Sequence, residues 1–199
     1  TPRPLIKAMV ECIAPEPMKT IADPCCGSGG FFLAAQSYIS NQDNYSLDRE
    51  KKEFLKDKTF YGNEIVSATF KTALMNLYLH NIGDIYTEAP VTLGDALLTD
   101  PGYRVDYVLT NPPFGKKSSI TFTNEDGEQE DEDLVYNRQD FWTTSSNKQL
   151  NFIQHINTIL KATGKAAVVL PDNVLFEGGA GETIRKKLLE TTDLHTILR

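Results

Sequence analysis

Apolar runs and amphipathic stretches alternate along the chain, and their periods assign the elements. TIADPC (20–25) is a short apolar run ending at a glycine-rich turn, which predicts a strand, and GGFFLAAQSYIS (29–40) follows as a helix. TFYGNEI (59–65) predicts a second strand. In the next stretch, 66–82, Ala68, Ala73, Leu74, Leu77 and Leu79 form an apolar stripe at helical spacing. VTLGDAL (91–97) predicts a third strand. YRVDYVLTNPPFG (103–115) predicts a fourth, with Val105, Tyr107 and Leu109 alternating before a Pro-Pro stop. FIQHINTILKATG (152–164) reads as a helix capped by Gly164, and KAAVVLPDN (165–173) as a strand buried on both faces. A helix over 181–193 and a last strand over 194–199 complete the order β-α-β-α-β-β-α-β-α-β. Strands alternating with helices predict an α/β fold built on a mostly parallel, doubly wound sheet.

One segment breaks the pattern. Residues 116–150 are polar, and NEDGEQEDED (124–133) puts seven carboxylates in ten residues. Like-charge blocks of this kind predict a solvated inserted loop, and the run does not declare the loop geometry of a metal site.

Composition narrows the class. In 199 residues, 40% are hydrophobic and 24% charged, which fits one globular domain and excludes a collagen-like or wholly disordered chain. No apolar run approaches the roughly 20 residues of a bilayer span, so no membrane partner is expected. The opening TPRPLIKAMVE lacks the apolar core of a signal peptide and an initiator Met, so the chain reads as part of something longer. Three cysteines (Cys12, Cys25, Cys26) are too few for a disulfide framework, and a reducing cytoplasm is the expected compartment. The net charge of −7 predicts that any contact with nucleic acid is local or shared with a partner.

The candidate chemistry sits at strand ends. Asp23-Pro24-Cys25-Cys26-Gly27-Ser28-Gly29-Gly30 follows the first strand and opens a helix, a place where backbone N–H groups meet a nucleotide-like ligand. The spacing is not that of a dinucleotide fingerprint, and no phosphate-binding Lys follows. Glu64 ends the second strand, where a carboxylate can accept from ribose hydroxyls. Asp95 ends the third, placed to accept from an adenine amine. Asn111-Pro112-Pro113-Phe114 ends the fourth. Two prolines fix the backbone and remove two donors, leaving the Asn111 side-chain carbonyl and the Pro112 main-chain carbonyl to accept from one amino group. Phe114 supplies a flat face for a planar base or amide. Each feature also has a plain structural reading, as a tight turn, a solvated acid or a strand stop. Cys25 and Cys26 read as packing residues, since no His lies near them in sequence, and His80, His155 and His195 show no ligand spacing.

These motifs (DPCCGSGGFFLAA, GNEI, GDALL, NPPFG, the FIQHI helix and VVLPDNVLFEGGAGETIRKKLLE) resemble the S-adenosylmethionine-dependent amino-methyltransferases. More narrowly, the chain resembles the modification subunit of type I restriction-modification systems, over most of its length apart from about 40–58 and 116–150. The resemblance implies a Rossmann-like methyltransferase fold, with 1–199 as the catalytic domain, shortened at both ends relative to the family. A helical domain before Thr1 and an antiparallel strand after Arg199 would lie outside it. It implies S-adenosylmethionine as cofactor, with Thr1, Pro2 and Arg3 at its methionine end. Asp23, Gly27, Ser28 and Gly29 would form its turn, Glu64 would hold the ribose, and Asp95 with Ala96 the cofactor's adenine. Asn111, Pro112, Pro113 and Phe114 would take an adenine flipped from duplex DNA for methylation at N6. Specificity and restriction subunits would be the partners. Two other readings stay open: an amino-methyltransferase acting on RNA guanine or protein glutamine, and a non-catalytic scaffold module.

Overall fold

The computed structural model describes residues 1–115, 119–123, 129–133 and 135–198. They fall into two compact units. The first holds Thr1–Ala96, Pro101–Pro112 and Ile159–Val169, the second Leu97–Asp100, Pro113–Thr158 and Leu170–Arg199.

The first unit is a parallel sheet with its helices. In chain order it holds α1 (Arg3–Ile13), β1 (Ile21–Asp23), α2 (Gly30–Ser40), α3 (Arg49–Asp57), β2 (Phe60–Glu64), α4 (Ser67–Leu79), β3 (Val91–Leu93) and β4 (Val105–Thr110). Past the antiparallel pair β5 (Ser119–Thr123) and β6 (Gln129–Asp133) and the helix α5 (Lys148–Ile159), β7 (Leu160–Val168) returns to it. The strand order is β3-β2-β1-β4-β7, with every neighbouring pair parallel. The chain therefore runs outward from β1 to β3 and then returns to β4 on the other side. That reversal between β1 and β4 is where open α/β sheets bind ligands, beyond the carboxyl ends of the strands.

A hydrophobic core lies between the sheet and these helices. Ile21, Phe60, Val91, Tyr107 and Leu109 from the strands meet Ile6, Val10 and Ile13 of α1, Phe31, Phe32, Ala35 and Ile39 of α2, and Ala73 and Leu77 of α4. Phe32 and Phe60 pack ring against ring, 5.0 Å between centroids. Gly62 leaves room for this packing, since a Cβ there would lie 2.9 Å from Phe32. At the opposite strand edge Asp106 Oδ2 accepts from the Thr20 backbone N–H and hydroxyl, each at 2.9 Å, and from Lys161 Nζ at 2.7 Å. Partial burial alone would raise this carboxyl. The Lys161 and Thr20 hydrogen bonds outweigh it and bring the pKa down to about 2.

The second unit includes the antiparallel pair, most of α5, a 3₁₀ turn at Asp172–Leu175 and α6 (Ala180–Thr191). Leu150, Ile153, Val174 and Ile184 form its core, with Trp142 and Leu188 packed against it. Arg138 is also buried in this unit. It forks onto Asp140 at 3.0 and 2.6 Å, lies 4.3 Å over the Phe141 ring, and donates to the Leu97 carbonyl at 3.3 Å.

Several sequence expectations change. Helices α1 and α3 were not predicted. Gly164 does not cap a helix: α5 stops at Ile159, and Gly164 lies in β7, where the pairing register with β4 shifts. A Cβ at Gly164 would stand 3.0 Å from the Lys161 carbonyl oxygen and 3.1 Å from that of Asp106, so close backbone approach requires glycine there. β7 is half-exposed rather than buried on both faces, because it is an edge strand of the described sheet. β4 shows the reverse, with five of six residues buried where alternation was expected, because it lies between β1 and β7. On α4 only Ala73 and Leu77 of the predicted stripe are buried, and Leu79 is 82% exposed. Residues 194–198 form no strand, having no sheet neighbour to pair with among the described residues. Within 116–150 the described backbone holds the β5–β6 pair and the start of α5, while Lys116, Lys117 and 124–128 lie outside the described residues.

Candidate functional site

β1 ends at Asp23 and the chain turns sharply into α2. The turn needs glycine at two places, Gly27 at φ +56° and Gly29 at φ +84°. At Gly29 a Cβ would also lie 2.9 Å from Leu77 Cδ2, so glycine lets the turn sit down on α4. Backbone bonds fix the turn's course: Cys26 N–H donates to the Asn63 carbonyl at 2.9 Å, and Gly29 N–H to that of Cys26 at 2.9 Å. Asn76 Nδ2 donates to the Ser28 carbonyl at 2.8 Å.

Glu64 joins this turn to the second strand end. Its Oε2 accepts from Gly27 N–H at 3.1 Å and its Oε1 from Val66 N–H at 2.8 Å. An ionised carboxylate has about four acceptor positions, so a lone pair on each oxygen remains for two further donors. The Glu64 carbonyl accepts from Gly94 N–H at 3.0 Å, which ties the end of β3 to the end of β2. Asp95, half-buried, and Ala96, buried, follow directly. Three strand ends are thus linked through one residue. A Cβ on either Gly27 or Gly94 would meet no atom within 4 Å. Each glycine therefore faces open space, Gly27 next to the Glu64 carboxylate and Gly94 next to the Glu64 main-chain carbonyl.

Asp23 is fully buried. Its Oδ1 accepts from the Thr110 hydroxyl at 2.6 Å and from Cys25 N–H at 3.1 Å. Burial is the dominant influence and pushes its pKa up to about 7 against those two hydrogen bonds, with a small push from the Glu64 charge. Cys25 Sγ lies 3.0 Å from Thr110 Oγ1, and burial with the nearby Asp23 holds both Cys25 and Cys26 thiols well above their ordinary range. Neither is a thiolate nucleophile at neutral pH. Thr110 was not singled out from sequence. Its signal was its place as the last residue of β4, directly before the Asn-Pro-Pro-Phe motif.

At the end of β4, Asn111 Nδ2 donates to Thr1 Oγ1 at 2.8 Å. That fixes the amide, and its Oδ1 is buried and accepts no hydrogen bond among the described residues. An unsatisfied buried acceptor costs about 1–3 kcal/mol and is rare in native proteins. Pro2 caps α1 and Arg3 begins it, both exposed beside Thr1. Pro112 is buried. Pro113 and Phe114 belong to the second unit, where the Phe114 ring is 64% exposed.

Comparison with known proteins identifies the family. The family model described as N-6 DNA Methylase matches residues 1–199. The chain is 40% identical, over its whole length, to the methylase subunits of the type I restriction enzymes StySPI of Salmonella potsdam and EcoKI of Escherichia coli K12. It spans 36% of the length of each. The crystal structure of the EcoKI M protein superposes with a TM-score of 0.78 at 39% identity, over 94% of this chain and 37% of that one. A modification subunit of a putative type I restriction enzyme from Vibrio vulnificus superposes at 0.73 with 27% identity, over 95% and 37%. The fold is therefore the Rossmann-like fold of these methyltransferases, and the chain belongs to the N-6 DNA methylase family.

Proposed function

We propose that this chain is the catalytic core of a DNA adenine-N6 methyltransferase that uses S-adenosylmethionine, within the modification subunit of a type I restriction-modification system. The observation that carries the reading is the Asn111 amide. Its donor side is committed to Thr1, and its buried acceptor is left for an incoming amino group. The Pro112 main-chain carbonyl is the second acceptor. Two acceptors on one amine draw its nitrogen towards tetrahedral geometry and make its lone pair available. Phe114, with its ring exposed, offers the face against which a flipped base stacks.

The residues present fit the cofactor. Gly27 and Gly94 carry no side chain to obstruct a nucleoside, the spare lone pairs of Glu64 suit two ribose hydroxyls, and Asp95 with Ala96 suits an adenine ring. Asp23, Ser28 and Gly29 complete the turn, and Thr1, Pro2 and Arg3 face the methionine end. The bound cofactor supplies a methyl group already activated by its sulfonium, so the protein's work is positioning and charge complementarity. Duplex DNA is the substrate, and specificity and restriction subunits are the partners. The relatives' names, as methylase subunits of restriction enzymes, support this assembly, and a cytoplasmic site of action goes with this reading. Among the described residues no helix is long and apolar enough to cross a membrane.

The test is Asn111→Ala in the assembled modification complex. Methyl incorporation into adenine of duplex DNA is expected to vanish while S-adenosylmethionine affinity stays within about twofold. Methylation at near wild-type rate in the variant rejects the assignment.

A further inference from the structure

We infer that Gln149 is a positioning residue that sets the Phe114 ring for base stacking; the inference rests on the methyltransferase reading of the Asn-Pro-Pro-Phe motif. Gln149 lies in the first turn of α5 and is 2% exposed. Its Nε2 donates to the carbonyl of Gly115 at 2.9 Å and to that of Pro113 at 3.3 Å. These two carbonyls flank Phe114 on either side. One amide therefore clamps the backbone before and after the aromatic residue, while the ring itself stays exposed. The clamp has its own support. Asn147 Oδ1 accepts from Gln149 N–H at 2.9 Å and from Leu150 N–H at 3.4 Å, and Asn147 Nδ2 donates to Glu177 Oε2 at 2.6 Å. The start of α5 is thus fixed before the side chain reaches out.

The amide can face only one way. Turned over, its oxygen would oppose two carbonyl oxygens. In the orientation observed, Oε1 is buried and accepts no hydrogen bond among the described residues. Leaving that acceptor unsatisfied is unfavourable, and packing alone would be served as well by a Met of similar length. What Met cannot do is donate to both carbonyls. The two-carbonyl clamp is the feature that explains glutamine at this position.

Gln149→Met and Gln149→Glu in the assembled modification complex test this. For Gln149→Met the single-turnover rate of methyl transfer should fall at least tenfold, with cofactor affinity within twofold of wild type. For Gln149→Glu the carboxylate repels both carbonyls, but its protonated form can donate to one. Relative to wild type, its activity should recover as pH falls through the carboxyl's titration. A third measurement does not depend on activity: chymotryptic cleavage of the Phe114–Gly115 bond, followed by mass, should be at least tenfold faster in Gln149→Met. A wild-type rate or unchanged cleavage in Gln149→Met overturns the inference, as does an activity loss in Gln149→Glu that pH does not relieve. If the wild-type complex fails to methylate DNA, the methyltransferase reading fails, and the cleavage comparison still decides whether Gln149 is the clamp.

Discussion

Asn111 and Thr1 are 110 positions apart in sequence, and the side chain of one donates to the side chain of the other at 2.8 Å. The Thr1 hydroxyl decides which way the Asn111 amide faces. With Nδ2 held, Oδ1 is the group left to accept from the amine in the proposed reaction. The start of α1 therefore has a part in orienting the residue at the end of β4, beyond any contact with the cofactor.

Thr1→Val, which keeps the shape and removes the hydroxyl, is expected to lower the rate of methyl transfer about two- to tenfold, the worth of one neutral hydrogen bond of about 0.5–1.5 kcal/mol. Thr1→Ser keeps the hydroxyl and should retain most activity. Single-turnover methylation at saturating cofactor checks this. Equal rates for the valine and serine variants would show that the Asn111 amide is oriented by something else.

Glu64→Ala removes a charged acceptor and also frees Gly27 N–H and Val66 N–H. Hydrogen bonds to a charged group are worth about 1.5–3 kcal/mol, so cofactor affinity should fall roughly ten- to a hundredfold. Glu64→Gln should also weaken binding, because its NH₂ group must face one of two backbone donors. Calorimetric titration with S-adenosylmethionine measures both. Unchanged affinity in the alanine variant would remove Glu64 from the cofactor site.

Gly27 and Gly29 should separate stability from binding. Both have positive φ, so alanine at either costs about 1–2 kcal/mol of backbone strain. At Gly29 the new Cβ also meets buried Leu77, and Gly29→Ala should be the more destabilising by chemical denaturation. At Gly27 the Cβ enters open space, so Gly27→Ala should leave stability closer to wild type yet impair cofactor binding. The reverse ranking would place the cofactor elsewhere.

Much of the candidate site was legible because its residues lie at strand ends and strand ends are marked locally. Short apolar runs closed by Asp23, Glu64, Asp95 and Asn111 gave four of the sheet's carboxyl edges in order. What joins them was not legible. The Glu64–Gly27, Thr110–Asp23, Asn111–Thr1 and Gln149–Gly115 bonds link residues 34 to 110 positions apart, and polar pairing at that range leaves no periodicity. The missed helices have different causes. α1 buries Ile6, Val10 and Ile13, but only three buried positions in eleven residues, preceded by Pro2 and holding Pro4 at its start, make a weak stripe, although proline fits the start of a helix. α3 buries only Leu55, too little for a visible stripe; its start is set by Asp48 accepting from Lys51 N–H at 2.9 Å. Gly164 looked like a helix end because a strand bulge and a helix stop both call for glycine.

The last prediction concerns Asp23 and pH. Its folded pKa of about 7 lies above the ordinary 3.8, because burial disfavours the charged form. Between those values the folded protein holds a proton that the unfolded chain has released. By linkage this group's contribution to stability is fullest below pH 4 and is lost as pH rises towards 7. The loss is on the order of 4 kcal/mol for a shift of this size. Asp23→Asn keeps an acceptor for Thr110 and cannot ionise. Comparing urea unfolding of the two proteins from pH 5 to 8, the wild type should lose stability relative to the variant as pH rises. A cationic cofactor should favour the Asp23 carboxylate, so S-adenosylmethionine binding to the wild type should release protons, and more of them at pH 6 than at pH 8. Titration calorimetry in buffers of different ionisation enthalpy counts those protons. A stability difference that does not change with pH would mean that Asp23 is already ionised in the folded protein. In that case the Thr110 and Cys25 hydrogen bonds, rather than burial, set its charge.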